Sequence, residues 1–283
     1  MKRSVILLLS LSLLLSLSSC FMIPEVETRD FSSLALPEGA AHTGTLVVAN
    51  AVTPYVAPAD QSNLVSLWDN EADVNPYFNL NQTSMDKTAL AAVSEMVTDF
   101  QKAADLHNVM IRVAYPNTEE EGHRPDDHLT GLGCLLKFVT EEPMEGEHEF
   151  ETPMMIMYHD LSEEDAYKWL FENCHKYGFV IRYPADKVSV TGVSDYTDYF
   201  RYVGIPHAAY MTENNLCLEE YVELLKGYTL SKPLSVTVSD VTYLVFYADI
   251  SQSSAVYYPA YHDFTWSGVG KDGIIMTLTE QAE

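Results

Sequence analysis

The sequence predicts an α+β fold with a small all-β extension at the C-terminal end, and three observations carry that reading. Across residues 84–107 the apolar side chains Leu90, Val93, Met96, Val97 and Phe100 recur at three- and four-residue spacing, which gives a helix one face to lay on a core. A second helical stretch, residues 162–178, opens on Ser162 with Glu163, Glu164 and Asp165 in its first turn and stops at Gly178. Beyond Tyr228 the character changes to short runs of β-branched and aromatic residues separated by turn residues, the pattern of strands.

Residues 1–20 carry Lys2 and Arg3 ahead of an unbroken Val/Ile/Leu/Ser run, the charged and apolar regions of an export signal, too short for a comfortable membrane span. Its end, Leu17-Ser18-Ser19-Cys20, resembles a bacterial lipobox, which implies that Cys20 is the lipidated first residue of an exported protein on the outer face of the cell membrane. An ordinary secretory signal with a coincidental cysteine is the alternative. Residues 21–42 mix Pro, Glu, Ser and Gly without a period and read as a flexible tether, so folded structure is expected from about Thr43.

Residues 46–50 (Leu-Val-Val-Ala-Asn) read as a short strand, and Ser84 or Asp86 can cap the first helix. Residues 109–115 read as a strand, and residues 218–226 as a third helix stopped by Gly227. The strand runs of the extension are 234–238, 241–247, 255–258 and 273–278, in a tail spanning 229–283. Trp266 and the Tyr257-Tyr258 pair could stack on a glycan, although such rings more often form the core of a small sheet.

The chain of 283 residues has 16 Lys+Arg against 41 Asp+Glu, a net charge of −25, which argues against nucleic acid or anionic lipid as a main partner. With 47% hydrophobic residues it can bury one substantial core. Besides Cys20 there are Cys134, Cys174 and Cys217, an odd number set in apolar surroundings, so buried thiols are expected rather than a disulfide framework.

Three segments carry a resemblance to a known family: His128-Leu129-Thr130-Gly131-Leu132-Gly133, the run from Trp169 to Pro184, and Tyr196-Thr197-Asp198-Tyr199-Phe200-Arg201-Tyr202-Val203-Gly204. Together they resemble the VanY-type zinc D-alanyl-D-alanine carboxypeptidases, which trim bacterial cell-wall peptides. The resemblance covers roughly residues 43–228 and implies a D,D-carboxypeptidase/hedgehog-like domain, a central antiparallel or mixed sheet flanked by helices. In that family one His and one Asp of SxHxxGxAxD and the His of ExxWHFRYVG hold zinc and leave one position open for water. The Glu of the second motif takes the water's proton, and an Arg in a YRS segment holds substrate.

Laid on this chain, the first motif places Asp126 for Ser, keeps His128 and Gly131, and puts Gly133 for Ala and Leu135 for the Asp ligand. In the second, Tyr196 stands for the catalytic Glu, Asp198 for Trp and Tyr199 for the ligand His, while residues 200–204 match without a gap. Pro116 stands where the substrate Arg is expected. A lone imidazole beside an aliphatic chain and a neutral phenol does not make a tight zinc site. The reading is therefore a pseudo-peptidase with no cofactor, although zinc serves its active relatives. Its expected binding groove is formed by Pro116, Asp126, His128, Leu135, Tyr196 and Tyr199, and its partner is a peptidoglycan stem peptide or a protein.

Two alternatives stand beside it. One is a working zinc D,D-carboxypeptidase with relocated ligands drawn from Asp126, Asp127, His128 and Asp198, removing the terminal D-alanine of stem peptides. The other is a scaffold whose β tail carries the interaction. The bland readings are that Asp126-Asp127 form a solvated turn, that Glu119 to Glu121 are a solvated edge, that His123 and His148 sit on loops, that His207 is an ordinary hydrogen-bonded side chain, and that His159-Asp160 belong to a helix-capping turn.

Overall fold

The computed structural model describes residues 30–70, 77–78, 83–115, 126–144, 154–253, 255–260, 262–271 and 273–280. The signal segment with Cys20, Pro116, residues 119–121, His123 and His148 lie outside the described residues.

Strands β1 (Phe31–Ala35), β2 (Leu64–Ser66), β3 (Tyr77–Phe78) and β4 (Ser84–Asp86) precede helix α1 (Lys87–Ala104). Asp86 caps α1 as expected, its carboxylate accepting hydrogen bonds from the backbone N–H groups of Thr88 and Ala89. The apolar stripe Leu90, Val93, Met96, Val97 and Phe100 is buried. Strands β5 (Val109–Val113), β6 (Gly133–Pro143) and β7 (Met154–Asp160) follow. The helix anticipated over residues 162–178 has its two boundaries but not its continuity. Asp160 and Glu163 form a capping box at one end, and Gly178 adopts φ 82° at the other. Only α2 (Lys168–Asn173) is α-helical, with 3-10 turns on both sides. The Leu161 N–H donates outward to the Asp198 carboxylate at 2.7 Å, so the first turn is tied to a neighbouring loop.

Strand β8 (Phe179–Ile181), the single turn α3 (Val188–Thr191), β9 (Tyr199–Tyr202), α4 (Ile205–Glu213) and α5 (Leu218–Leu225) lead to β10 (Leu234–Val238), β11 (Val241–Asp249), β12 (Ala255–Pro259), β13 (Asp263–Gly268) and β14 (Gly273–Thr279). The sequence reading did not anticipate α4 or β13. For α4 a signal was present in Pro206 in its first turn, directly after Gly204 at φ 92°.

The central sheet runs β3-β5-β6-β9-β8, with β7 paired to the far half of β6; β3 and β5 are parallel and the other pairs antiparallel, which makes it mixed. Strand alternation divides its side chains between two faces. Cys134, Leu136, Phe179 and Phe200 join the core that α1 covers. Leu135, Tyr199 and Arg201 fall on the opposite face, where the site lies.

Three expectations need correction. Residues 31–35 were placed in a flexible tether, yet β1 pairs with β12 over five register positions from Phe31↔Pro259 to Ala35↔Ala255, because the backbone bonds of an otherwise unpaired strand are satisfied there. Residues 46–49 are buried and Asn50 is part-buried, but the segment joins no ladder. The Leu46 N–H donates to Ser267 Oγ at 2.7 Å and the Val47 carbonyl accepts from Arg201 Nη2 at 3.1 Å, so side chains replace a partner strand. The C-terminal sheet, ordered β10-β11-β14-β13, shares a core with the preceding domain: Val236, Val245 and Ile275 pack with Leu46, Met211 and Leu218.

His207 stitches this junction together. Its Nδ1 lies 2.8 Å from the Tyr221 hydroxyl on α5 and its Nε2 lies 3.1 Å from Thr277 Oγ1 on β14. Burial pushes the imidazole down from 6.5 to about 4. A histidine held neutral in the folded chain contributes stability above its ordinary value that is lost as pH falls towards the folded one. The expected result is a loss on the order of 3 kcal/mol between pH 6.5 and about 4, measured by urea unfolding across that range, with His207→Leu flattening the profile. An unchanged profile in the variant would reassign the titration.

A candidate active site filled by aromatic side chains

His128 sits in a 3-10 turn, Asp126–Thr130, and is 1% exposed. What fixes that turn is its neighbour. Asp127, expected on a solvated turn, is fully buried between two buried arginines. Its Oδ1 accepts from Arg182 Nε at 2.9 Å, and its Oδ2 lies 3.0 Å from Arg201 Nε. Arg182 then grips Glu219 on α5 with both terminal nitrogens, at 2.8 and 2.7 Å. Asn50 donates to the same Glu219 at 3.0 Å, and Arg201 Nη1 donates to the Tyr202 carbonyl at 2.6 Å. Two guanidiniums and two carboxylates balance in charge. Burial pushes the Asp127 carboxyl up, but Arg201 and Arg182 outweigh it and hold it below the usual carboxylate range; Arg182 does the same for Glu219 against its own burial. The network joins the His128 turn to β8, β9, α5 and the 47–50 segment.

Against this turn lie the positions that the resemblance singled out. Leu135 and Tyr199 are register partners on β6 and β9, and both are buried. The Tyr199 ring centre is 4.4 Å from that of His128, and Tyr183 stacks on the other side of Tyr199 at 5.9 Å. Tyr196 meets His128 edge-on at 5.5 Å. It does so from a left-handed backbone, φ 62°, and its carbonyl accepts the Tyr199 N–H at 3.0 Å. That conformation costs a non-glycine residue roughly 1–2 kcal/mol, which the surrounding packing must offset. A Cβ on Gly133 would fall 2.5 Å from the Tyr199 hydroxyl oxygen, so the phenol occupies space that only glycine leaves.

The structure therefore brings His128, Leu135, Tyr196 and Tyr199 together, but in a packed cluster with Val113, Tyr183 and Val193 rather than an open groove. Asp126 and Tyr196 are part-exposed, and Leu129, in the same turn as His128, is 39% exposed.

Zinc does not fit these residues. Leu135 has no donor atom, and burial raises the Tyr199 phenol well above its ordinary value, so it stays neutral and is a poor ligand. The relocated ligand set fails on placement. Asp127 is committed to two arginines, and the Asp198 carboxylate faces the Leu161 N–H and the Lys137 ammonium, at 2.7 and 3.4 Å. Among the described residues there is no group of three His, Cys, Asp or Glu side chains placed to hold a metal ion.

His159 lies 2.8 Å from Thr140 Oγ1 and stacks on Phe138, consistent with a structural role, and Asp160 caps the next turn. Cys134, Cys174 and Cys217 are buried and free, as expected. Burial pushes the Cys174 thiol up to about 12 and the Cys217 thiol to about 11, so neither is a nucleophile at neutral pH. Sequence reasoning missed Asp127, Arg182 and Glu219 as a unit. The only available signal was a pair of arginines within otherwise apolar strands, since burying a guanidinium requires a carboxylate partner.

The family model described as VanY, D-alanyl-D-alanine carboxypeptidase, matches residues 146–205. A D-alanyl-D-alanine carboxypeptidase of Enterococcus faecium is 30% identical over 244 residues, 86% of this chain and 78% of that protein. One from Enterococcus faecalis is 47% identical over 62 residues, 22% of this chain and 23% of its own length. The crystal structure of the vancomycin-resistance D,D-dipeptidase VanXYg, in complex with a D-Ala-D-Ala phosphinate analogue, covers 89% of this chain and 100% of its own with a TM-score of 0.66 at 19% identity, a shared fold. On the breadth of the Enterococcus faecium match, the chain belongs to the D-alanyl-D-alanine carboxypeptidase family.

Proposed function

We propose that this chain is a non-hydrolysing member of its family, an exported lipoprotein that binds peptidoglycan stem peptides on the outer face of a bacterial membrane. One observation supports the loss of hydrolysis: the neutral Tyr199 phenol, packed against Gly133 with its ring centre 4.4 Å from that of His128, stands at the position that the resemblance gives to a metal-ligating imidazole. Tyr196 brings a phenol, not a carboxylate, to the position of the family's general base. A stem peptide would contact the part-exposed rim formed by Asp126, Leu129 and Tyr196 instead of entering the centre. No zinc is needed for that role.

The test is to incubate the purified chain, with and without added zinc, with an acylated L-Lys-D-Ala-D-Ala peptide, and to follow D-alanine release and heat of binding. Zinc-independent binding without release is the expected result. Zinc-dependent release of D-alanine would establish the relocated-ligand enzyme instead, and no binding at all would remove the stem peptide as partner.

Lipidation of Cys20 rests on the lipobox-like Leu17-Ser18-Ser19-Cys20. With β1 starting at Phe31, an extended connection from Cys20 could lift the folded chain no more than about 40 Å from its anchor. Cys20→Ala should move the protein from the membrane fraction to the medium; retention in the membrane fraction would refute the anchor.

A further inference from the structure

A cavity of about 660 Å³, lined by none of His128, Leu135, Tyr196 or Tyr199 but bordered by Thr130 and Leu132 beside them and by residues 202–207, lies between the inner face of the C-terminal sheet and the segment that runs past β2 to the start of α1. That sheet face is divided in composition. Where α4 and α5 cover it, Val236, Val245 and Ile275 are buried. Where they do not, it presents Tyr243, Thr265, Thr277 and Thr279 to the cavity. Thr265 and Thr277 are direct register partners, as are Tyr243 and Thr279, so the hydroxyls form one patch rather than a scatter. Thr277 is 5% exposed and its Oγ1 lies 3.1 Å from Nε2 of His207, itself a lining residue, whose other imidazole nitrogen meets Tyr221, which fixes this part of the wall.

The facing wall carries Asp60, Gln61, Asn63, Asp86 and Thr88, and Tyr55, Tyr202 and Tyr243 supply aromatic surface. Trp266, next to Thr265 on β13, turns to the other face of the sheet and packs on the small core around Met276 and Leu278, while Tyr257 is 63% exposed and does not line the cavity.

These walls select by chemistry. Among the residues that line the cavity there is no lysine or arginine, its two imidazoles are His42 and the buried His207, and Asp60 and Asp86 are acidic, so an anion finds no permanent counter-charge. Each of those carboxylates already accepts backbone N–H groups of its own turn, Asp60 from Ser62 at 2.9 Å and Asp86 from Thr88 at 2.8 Å. Leu64, Leu132 and Val203 share the lining, and a purely apolar ligand would pack on them but leave the neighbouring hydroxyls and amides without partners. The volume is within the roughly 300–1,000 Å³ of small-molecule sites. Rows of hydroxyls and amides beside aromatic faces match a ring with polar edges and an apolar C–H face. We propose that this cavity is a carbohydrate-binding site for a neutral saccharide, beside but distinct from the His128–Tyr199 cluster and independent of whether that centre hydrolyses.

The probe is the neutral N-acetylglucosamine trimer, titrated into the full chain by calorimetry, with the cationic glucosamine trimer as comparison. Saturable binding of the neutral trimer is expected, weakened tenfold or more by Thr265→Trp, which places an indole in the cavity from an exposed position on the edge strand β13. The thermal midpoint should be unchanged. Should that variant fold poorly, Asn63→Trp on the facing wall, also exposed, reads the same effect. Absence of saturable binding at millimolar sugar, tighter binding of the cationic trimer, or undiminished binding by both folded variants would each overturn the assignment.

Discussion

Arg182→Met is expected to lower the free energy of unfolding by about 3–5 kcal/mol, the cost of leaving the part-buried Glu219 carboxylate without its cation and the buried Asp127 with one guanidinium instead of two. Arg182 is fully buried, holds Asp127 at 2.9 Å and holds Glu219 through two bonds at 2.8 and 2.7 Å. Without it Glu219 keeps only the Asn50 amide among these partners, and the two segments that the guanidinium joins are released from one another. In the parent, both carboxyls are held below their ordinary values, so their contribution is present at neutral pH and is lost as pH falls through the folded values. In the variant the stranded carboxyls gain by protonation, and the deficit should shrink below about pH 4.5. Urea unfolding of parent and variant at pH 7 and pH 4 measures both. A double variant, Arg182→Met with Glu219→Leu, should recover a large part of the loss, since it leaves the Asp127–Arg201 pair balanced. A single-variant cost under 1 kcal/mol would mean that the network does not secure the His128 turn.

The second large effect tests whether Tyr199 and Gly133 are complementary. Gly133→Ala alone should cost about 1–3 kcal/mol, because its new methyl group would stand 2.5 Å from a phenol that is fully buried and flanked by Tyr183 and His128. In a Tyr199→His background, whose shorter side chain withdraws from Gly133, the same substitution should cost clearly less, a coupling of roughly 0.5–3 kcal/mol. Adding Leu135→Asp to that pair restores, beside His128, the three protein ligands that the family resemblance implies. Zinc at a hundredfold its dissociation constant should then stabilise the triple variant by about 2.7 kcal/mol, with no such shift in the parent. Additive single and double variants, or equal zinc stabilisation of the parent, would remove the complementarity that the proposed loss of hydrolysis rests on.

The shared core changes how the C-terminal strands can be tested. Removing residues 229–283 would strip Val236, Val245 and Ile275 from a core that also contains Leu46, Met211 and Leu218, so loss of a partner on deletion would report unfolding rather than a separate binding unit. Point changes such as those at Thr265 avoid that ambiguity.

Much of the fold was legible locally. The Asp86 cap, the apolar stripe of α1, the Gly178 stop and four of the strands of the extension are written in neighbouring residues, because capping, periodicity and turn chemistry act over a few positions. Residues 31–35 and 46–50 were misread because their bonding partners, β12 on one side and Ser267 with Arg201 on the other, lie far away in sequence. Asp127 was misread for the same reason, since a carboxylate between two arginines cannot be told from a solvated one until the arginines arrive.

By itself the sequence determined the family and the departures from its motifs, because residue identity at His128, Leu135, Tyr196 and Tyr199 is independent of conformation and limits which atoms can donate to a metal. Only the tertiary structure decided what those departures became: a closed cluster in which Tyr199 rests on Gly133 and His128, on a turn that a buried ion network holds in place. The physical reason is that coordination chemistry is set residue by residue, whereas burial and charge pairing are set by which distant segments the chain brings into contact.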